Sequence, residues 1–357
     1  MRPEAGLRVA FVAGLSDKKL GQKLAPLLSC PGVSRVELFR RAPYAGDDRL
    51  RVFGVGWLGR RFPVLGDLLR FFLLLWRVRS CDAVVGCFQL YHGVMAHLAG
   101  RLWGKPVIQL VITDVDWNMQ RPLARWAMLA ADACGTRGPA AMARLRELGF
   151  AGPLAVIHNP TDLPPPAAAG TPRYDLIVVG DYAPEKNYPL LLDVLSTVKD
   201  RFADLRVMVC GRGFPGPFGL HLARVGLHEH VVFPGHLGEA DLARAYGEAG
   251  ILVLSSRVEG LPMVVVEAMA RGLAIVATDV GEVSWLARDG IEGRIVPPGN
   301  AAAMSEAVAE LLELPGLRRE MGERGRRRIE ELASEFSLPR IAAAWEILLG
   351  QGAGCRR

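Results

Sequence analysis

Short apolar runs rich in β-branched residues alternate along the chain with longer stretches in which apolar positions recur every three or four residues. This rhythm predicts parallel strands separated by covering helices. In the first half the expected strands are "LRVAFVAG", "VSRVELF", "LRVFGVG", "DAVVGCF", "PVIQLVIT" and "LAVIHN". The rhythm stops at "LPPPAAAGTPR", residues 163–173, whose three prolines and small-residue tail continue neither a helix nor a central strand. It then resumes with "YDLIVVG", "LRVMVCG", "HVVFPG", "ILVLSS", "LAIVATD" and "GRIVPPG". The expected fold is α/β, two Rossmann-like domains in tandem whose parallel sheets face a central cleft, with ligands beyond the carboxyl ends of the strands. The expected limits are 1–163 for the first domain, 164–170 for a linker and 171–336 for the second domain. A closing amphipathic helix over 337–357, with Pro339 in its first turn, is expected to return to the first domain.

One stretch carries candidate chemistry. In "SSRVEGLPMVVVEAMARG", residues 255–272, Gly260 and Pro262 form a turn after a strand, and Gly272 suits the position past a helix end. Met263 to Arg271 therefore reads as a short helix, although Val264, Val265 and Val266 favour a strand by some tenths of a kcal/mol each. Glu259 then lies in the loop before the helix, and Glu267 about one turn inside it. The first amides of that helix, near Met263 and Val264, are unpaired and carry the positive end of the dipole, which makes an anion site from backbone. An anion site flanked by two carboxylates fits a ligand that is phosphate in the middle and polyol at both ends. The alternative is two ordinary charges near a helix start.

Composition narrows the field. The chain has 357 residues, half of them apolar, enough for two domains with cores of their own. A net charge of +6 favours anionic partners. The basic residues are scattered, with no run interleaved with aromatics, so nucleic acid is not an expected partner. The six cysteines form no CxxC pair and no metal-ligand spacing, which suits a reducing cytosol. No metal site and no cofactor are expected. No segment reaches the roughly 18–20 apolar residues that span a bilayer.

"SSRVEGLPMVVVEAMARGLAIVATDVGEVSWLARDGIEGRIVPPGN" resembles the C-terminal signature of the retaining glycosyltransferases of family four, two-domain GT-B enzymes with a Glu-x7-Glu motif. The likeness extends to "VVGDYAPEKNYPLLLDVL", "FPGHL", "LARAYGEAGILVLSSR", "ADACGTRGPAAMARLRELG" and "VIHNPTD". It implies transfer of a sugar from a nucleotide-diphosphate sugar, a substrate and not a cofactor, to a hydroxyl acceptor with retention, without bound metal. It also implies a glycan or lipid-linked glycan of the cell envelope as acceptor. On these motifs Glu259 would contact donor-sugar hydroxyls and Glu267 the ribose. The amides of Gly260, Leu261, Met263 and Val264 would hold sugar and phosphate, and Lys186 in "PEKN" the diphosphate, where charge develops as it leaves.

The sequence departs from the family pattern in places. Asp181 stands where many relatives carry an arginine, and Arg212 in "CGRGF" where many carry an acid, so a swapped charge pair is expected, with Arg212 on the diphosphate. Gly14 lies in a glycine turn of the kind that approaches donor phosphates in relatives. Asp114 and Asp116, with Gln89 and His92, occupy the region from which relatives contact the transferred sugar. Two other readings stand beside transfer: a GT-B subunit that binds or scaffolds without catalysis, and a nucleotide-sugar epimerase. Residues 60–79, "RRFPVLGDLLRFFLLLWRVR", combine arginines with Phe71, Phe72 and Trp76. They fit either a helix covering the sheet or a peripheral contact with an anionic membrane, on the inner face if the protein is cytoplasmic.

Overall fold

The computed structural model describes residues 6–54, 61–166, 171–214 and 216–354. Residues 167–170 of the expected linker, Arg60 and Cys355 lie outside the described residues. The chain forms two compact units: one runs to Asp162 and resumes at Ser334, the other is Leu163–Ala333.

The first unit holds a seven-stranded sheet made of β1 (Leu7–Val12), β2 (Val33–Phe39), β3 (Leu50–Phe53), β4 (Ala83–Cys87), β5 (Val107–Leu110), β6 (Ala133–Thr136) and β7 (Leu154–Val156). Their order is β3-β2-β1-β4-β5-β6-β7, and every pairing is parallel. The apolar pattern finds all of them except β6. That strand is "ACGT", with one β-branched residue and a central glycine, and its place is set by pairing with both neighbours. Gly135 is needed there, because a Cβ would stand 2.9 Å from Ile157 Cγ1.

The last helix, Leu338–Gly354, belongs to this unit. Trp345 and Leu348 are fully buried among residues of β1, β4 and β5, and the Trp345 ring lies 6.5 Å from that of Phe11. Side chains of this size contribute about 1.5–3 kcal/mol each when fully buried.

The second unit holds β8 (Tyr174–Val179), β9 (Val207–Cys210), β10 (Val231–Gly235), β11 (Ala249–Leu254), β12 (Ala274–Thr278) and β13 (Gly293–Val296). Their order is β10-β9-β8-β11-β12-β13, again parallel throughout. In each sheet the winding reverses once, at β1/β4 in the first and β8/β11 in the second. Connections there leave in opposite directions and open a crevice at the strands' carboxyl ends.

The five described cysteines are buried and unbridged. Burial pushes the thiols of Cys30, Cys87 and Cys210 up to about 11, which removes the thiolate that reactivity needs.

Candidate active site

The reversal point of the second sheet gathers the main candidates. β8 ends at Val179, and the chain continues through Gly180 to the tight turn Pro184–Lys186. β11 ends at Leu254 and continues through Ser255 and Ser256 to Glu259. Residues 73 positions apart thereby meet: Lys186 Nζ lies 2.6 Å from Glu259 Oε1.

The two loops are stitched together by several bonds. Ser255 Oγ donates to the Lys186 carbonyl (2.9 Å), and the Arg257 amide donates to the Glu185 carbonyl (2.7 Å). Ser256 Oγ donates to Glu259 Oε1 (2.7 Å), while its own carbonyl accepts from Thr278 Oγ1 (2.7 Å) on β12. Glu259 is thus held by a lysine and a serine, and its loop is anchored to the neighbouring strand. The side chains of Lys186 and Glu259 keep 24% and 13% of their surface exposed, so the pair is reachable yet mostly dry.

Glu259 runs into the helix Met263–Ala270. Its three valines do not turn it into a strand, because Val265 and Val266 are fully buried and Gly272, at φ 81°, ends the helix. The helix begins at Met263, as its turn predicts, with Pro262 in the capping position and no side-chain cap bond at this end. The amides of Met263 and Val264 open the helix beside Glu259, with the positive end of the dipole.

Glu267 lies further along the same helix. Its Oε2 accepts from Tyr246 Oη (3.0 Å), and its carbonyl accepts from Arg271, whose guanidinium lies 5.1 Å from the Tyr246 ring centroid. Burial first, and then the Glu267 carboxylate, push the Tyr246 hydroxyl well above its ordinary pKa, so it remains a donor. Sequence reading missed Tyr246 because it sits 21 residues from its partner, on the helix Glu239–Gly247.

Gly281 is a second residue without a signal in the motif itself. Its φ is 57°, and a Cβ there would stand 2.6 Å from the Glu259 carbonyl oxygen and would also strike that of Gly260. The next residue, Glu282, donates its amide to the Gly260 carbonyl (2.9 Å). Gly281→Ala is therefore expected to lower the unfolding free energy by about 1–3 kcal/mol and displace the Glu259 loop. Denaturant unfolding checks this, and wild-type stability would contradict the close approach.

Asp181 and Arg212 also come together. The Arg212 amide donates to Asp181 Oδ1 (2.9 Å), and its Nε lies 3.7 Å from the same oxygen, with both side chains largely exposed. Beside them a pocket of about 320 Å³ opens at the ends of β9 and β10, lined by Gly211, Gly213, Phe214, Phe218 and Phe233. Tyr182 stacks on Tyr188 at 5.2 Å and meets Phe214 at 5.5 Å, which joins the pocket to the Lys186 turn.

Gly14 and Asp114 belong to the first unit. At the β1/β4 reversal a Cβ on Gly14 would stand 2.5 Å from His92 Cε1, so the ring occupies the space the glycine leaves. Burial, and then Arg70, lower His92 to about 4, which keeps it neutral. Asp114 caps the helix Val115–Met119 by accepting from the Trp117 amide (2.8 Å), and burial raises its pKa. Asp116 is engaged separately by Arg144 (2.8 Å).

Residues 162–328 match the family model described as glycosyl transferases group 1. Among curated proteins, the phosphatidyl-myo-inositol mannosyltransferase of Mycobacterium leprae is 35% identical over 157 residues, 43% of this chain and 41% of that protein. The alpha-D-kanosaminyltransferase of Streptomyces kanamyceticus is 30% identical over 149 residues, 42% of this chain and 39% of that protein. The chain thus spans about two fifths of the length of these relatives. Among solved structures, sucrose-phosphate synthase from Thermosynechococcus elongatus superposes with a TM-score of 0.75 at 18% identity, over 98% of this chain and 100% of that one. HepE of Anabaena, solved in complex with UDP, gives 0.69 at 17% identity, over 96% of this chain and 100% of that one. These likenesses show the fold, which is GT-B.

Proposed function

We propose, since residues 162–328 match the family model described as glycosyl transferases group 1, that the protein transfers a sugar from a nucleotide-diphosphate sugar to a hydroxyl acceptor. The observation that carries the reading is the Lys186–Glu259 pair, 2.6 Å apart, at the mouth of the Met263 helix. A cation, a carboxylate and a row of free amides at one reversal point match a sugar diphosphate part by part. The amides of Gly260, Leu261, Met263 and Val264 and the ammonium of Lys186 take the phosphates. Glu259 takes sugar hydroxyls, Glu267 the ribose hydroxyls, and the aromatic pocket beyond β9 and β10 the base. Arg212, steered by Asp181, adds a second positive charge from the neighbouring loop.

Departure of the nucleoside diphosphate leaves negative charge on phosphate oxygen, and a preplaced ammonium and helix end stabilise it without reorganisation. No bound metal is needed for that step. In this proposal the departing phosphate takes the acceptor's proton and the new bond forms on the face the leaving group vacates, which retains configuration. Of the curated relatives named above, one is by name a mannosyltransferase of phosphatidyl-myo-inositol and the other a kanosaminyltransferase. A lipid-linked or glycan hydroxyl is the proposed acceptor.

Asp181, in place of a frequent arginine, favours one second reading, a subunit that binds donor without transferring. A panel of UDP-, GDP- and dTDP-sugars, incubated with chelator and candidate acceptors, separates the two. Release of nucleoside diphosphate with an anomerically retained product by proton NMR supports transfer, and binding without turnover supports the subunit.

Tyr246→Phe removes the hydroxyl that fixes Glu267 and keeps the ring beneath Arg271. One lost hydrogen bond of this kind amounts to about 1 kcal/mol. Nucleoside diphosphate is expected to bind about fivefold more weakly by calorimetry, while binding of inorganic pyrophosphate, which has no ribose, stays as in wild type. Equal weakening of both ligands would contradict the ribose assignment.

A further inference from the structure

The helix Pro63–Val78 is apolar on two sides. Its inner face, with Leu74 and Val78 fully buried, covers the sheet against Val84, Ala96 and Ala99. On its outer face every exposed residue from Val64 to Trp76 is apolar: Val64, Leu65, Leu68, Leu69, Phe72 and Trp76. A helix that merely covers a sheet presents polar residues there.

The neighbouring helices extend this surface. Helix Val94–Leu102 adds exposed Leu98 and Leu102, and Trp103, just past its end, donates its indole N–H to the Leu75 carbonyl (2.7 Å). Helix Pro122–Leu129 adds Leu123 and Trp126, the latter 4.3 Å from the His97 ring. Exposed apolar groups contiguous over three helices mark an interaction surface.

Charge identifies the partner. Over residues 61–80, 94–105 and 121–129 the exposed charges are Arg61, Arg79, Arg101 and Arg125, all basic. The one acid in these segments, Asp67, is half-buried and held by Arg41 (2.9 Å) and Arg70 (2.9 Å). A second copy seated by two-fold symmetry would set this basic rim against itself. A phosphate-covered surface satisfies it.

We propose that this three-helix face lies on an anionic phospholipid bilayer. Leu68, Phe72 and Trp76 enter the boundary between headgroups and acyl chains, and the arginines rest on lipid phosphates. The mode is interfacial: among the described residues no helix is long and apolar enough to cross a membrane. The inference goes beyond the transfer chemistry and stands on observations in the first unit alone.

The test is sedimentation of the full chain with vesicles of phosphatidylcholine, or of phosphatidylcholine with phosphatidylglycerol, comparing wild type with Phe72→Ser/Trp76→Ser. Both residues are more than half exposed, so the fold is kept, as circular dichroism will verify. Wild type is expected to bind the anionic vesicles, less so at high ionic strength, and the double variant to partition about tenfold less or weaker still. No binding by wild type, equal binding by the variant, or a wild-type dimer that the variant abolishes would each overturn the proposal. Nucleoside diphosphate binding, measured in parallel without vesicles, keeps this outcome separate from that of the donor site.

Discussion

Lys186→Ala is expected to lower kcat/KM for sugar transfer by about 10²–10³-fold, the loss seen when one preplaced donor to a developing anion is removed. The expectation follows from where the ammonium stands. It extends from the tight turn Pro184–Lys186 after β8, with Gly180 leaving room for its stem: a Cβ there would be 3.3 Å from Lys186 Cε. Asn187, in the left-handed region at φ 54°, fixes the turn, and Ser255 Oγ holds the Lys186 carbonyl. Arginine is no substitute, because a planar fork does not fit the space of a compact point charge. Initial rates of nucleoside diphosphate release check this. A rate within about threefold of wild type would remove Lys186 from the mechanism.

Glu259→Gln is expected to act differently on two ligands. The carboxylate holds Lys186 at 2.6 Å, and in the proposed function it turns to sugar hydroxyls when donor binds. Neutralising it weakens charge-assisted hydrogen bonds to those hydroxyls, each contributing about 1.5–3 kcal/mol, so nucleotide-sugar affinity should fall roughly 10- to 100-fold. Nucleoside diphosphate lacks the sugar and meets a lysine no longer shared with a carboxylate. Its affinity should therefore hold or rise, whereas Lys186→Ala weakens both ligands. Calorimetry with each ligand on each variant reads the contrast, and a parallel loss of both in Glu259→Gln would show that the glutamate acts only by shaping its loop.

Much of the fold is legible because its signals are local. Twelve apolar runs mark twelve of the thirteen strands among the described residues, and the Gly-Pro turn with Gly272 marks the Met263 helix against the strand propensity of its valines. β6 escapes because "ACGT" has almost no side chain to read. The helix Pro63–Val78 shows the opposite limit. Its sequence fits both a sheet cover and a membrane face, and only packing shows that it has a buried inner face against the sheet and an exposed apolar outer face.

The site divides along the same line. Glu259, Glu267 and the helix opening lie within one short stretch, so spacing alone sets them side by side. Lys186 joins them only through the β8/β11 pairing, which the order of runs along the chain does not reveal. Ser256, Tyr246 and Gly281 act on those residues from loops and helices with no periodicity of their own, and Phe214, Phe218 and Phe233 converge from separate elements.

The central claim is that the β8/β11 reversal point binds a nucleoside diphosphate through Lys186 and the Met263 helix. Thermal unfolding of wild type and Lys186→Ala against a panel of nucleoside diphosphates tests it most directly. A ligand at 100 times its dissociation constant adds about 2.7 kcal/mol of stability, so one diphosphate is expected to raise the wild-type Tm clearly and to leave Lys186→Ala almost unmoved. A panel in which no diphosphate stabilises the wild type, or in which the variant shifts equally, would contradict the account.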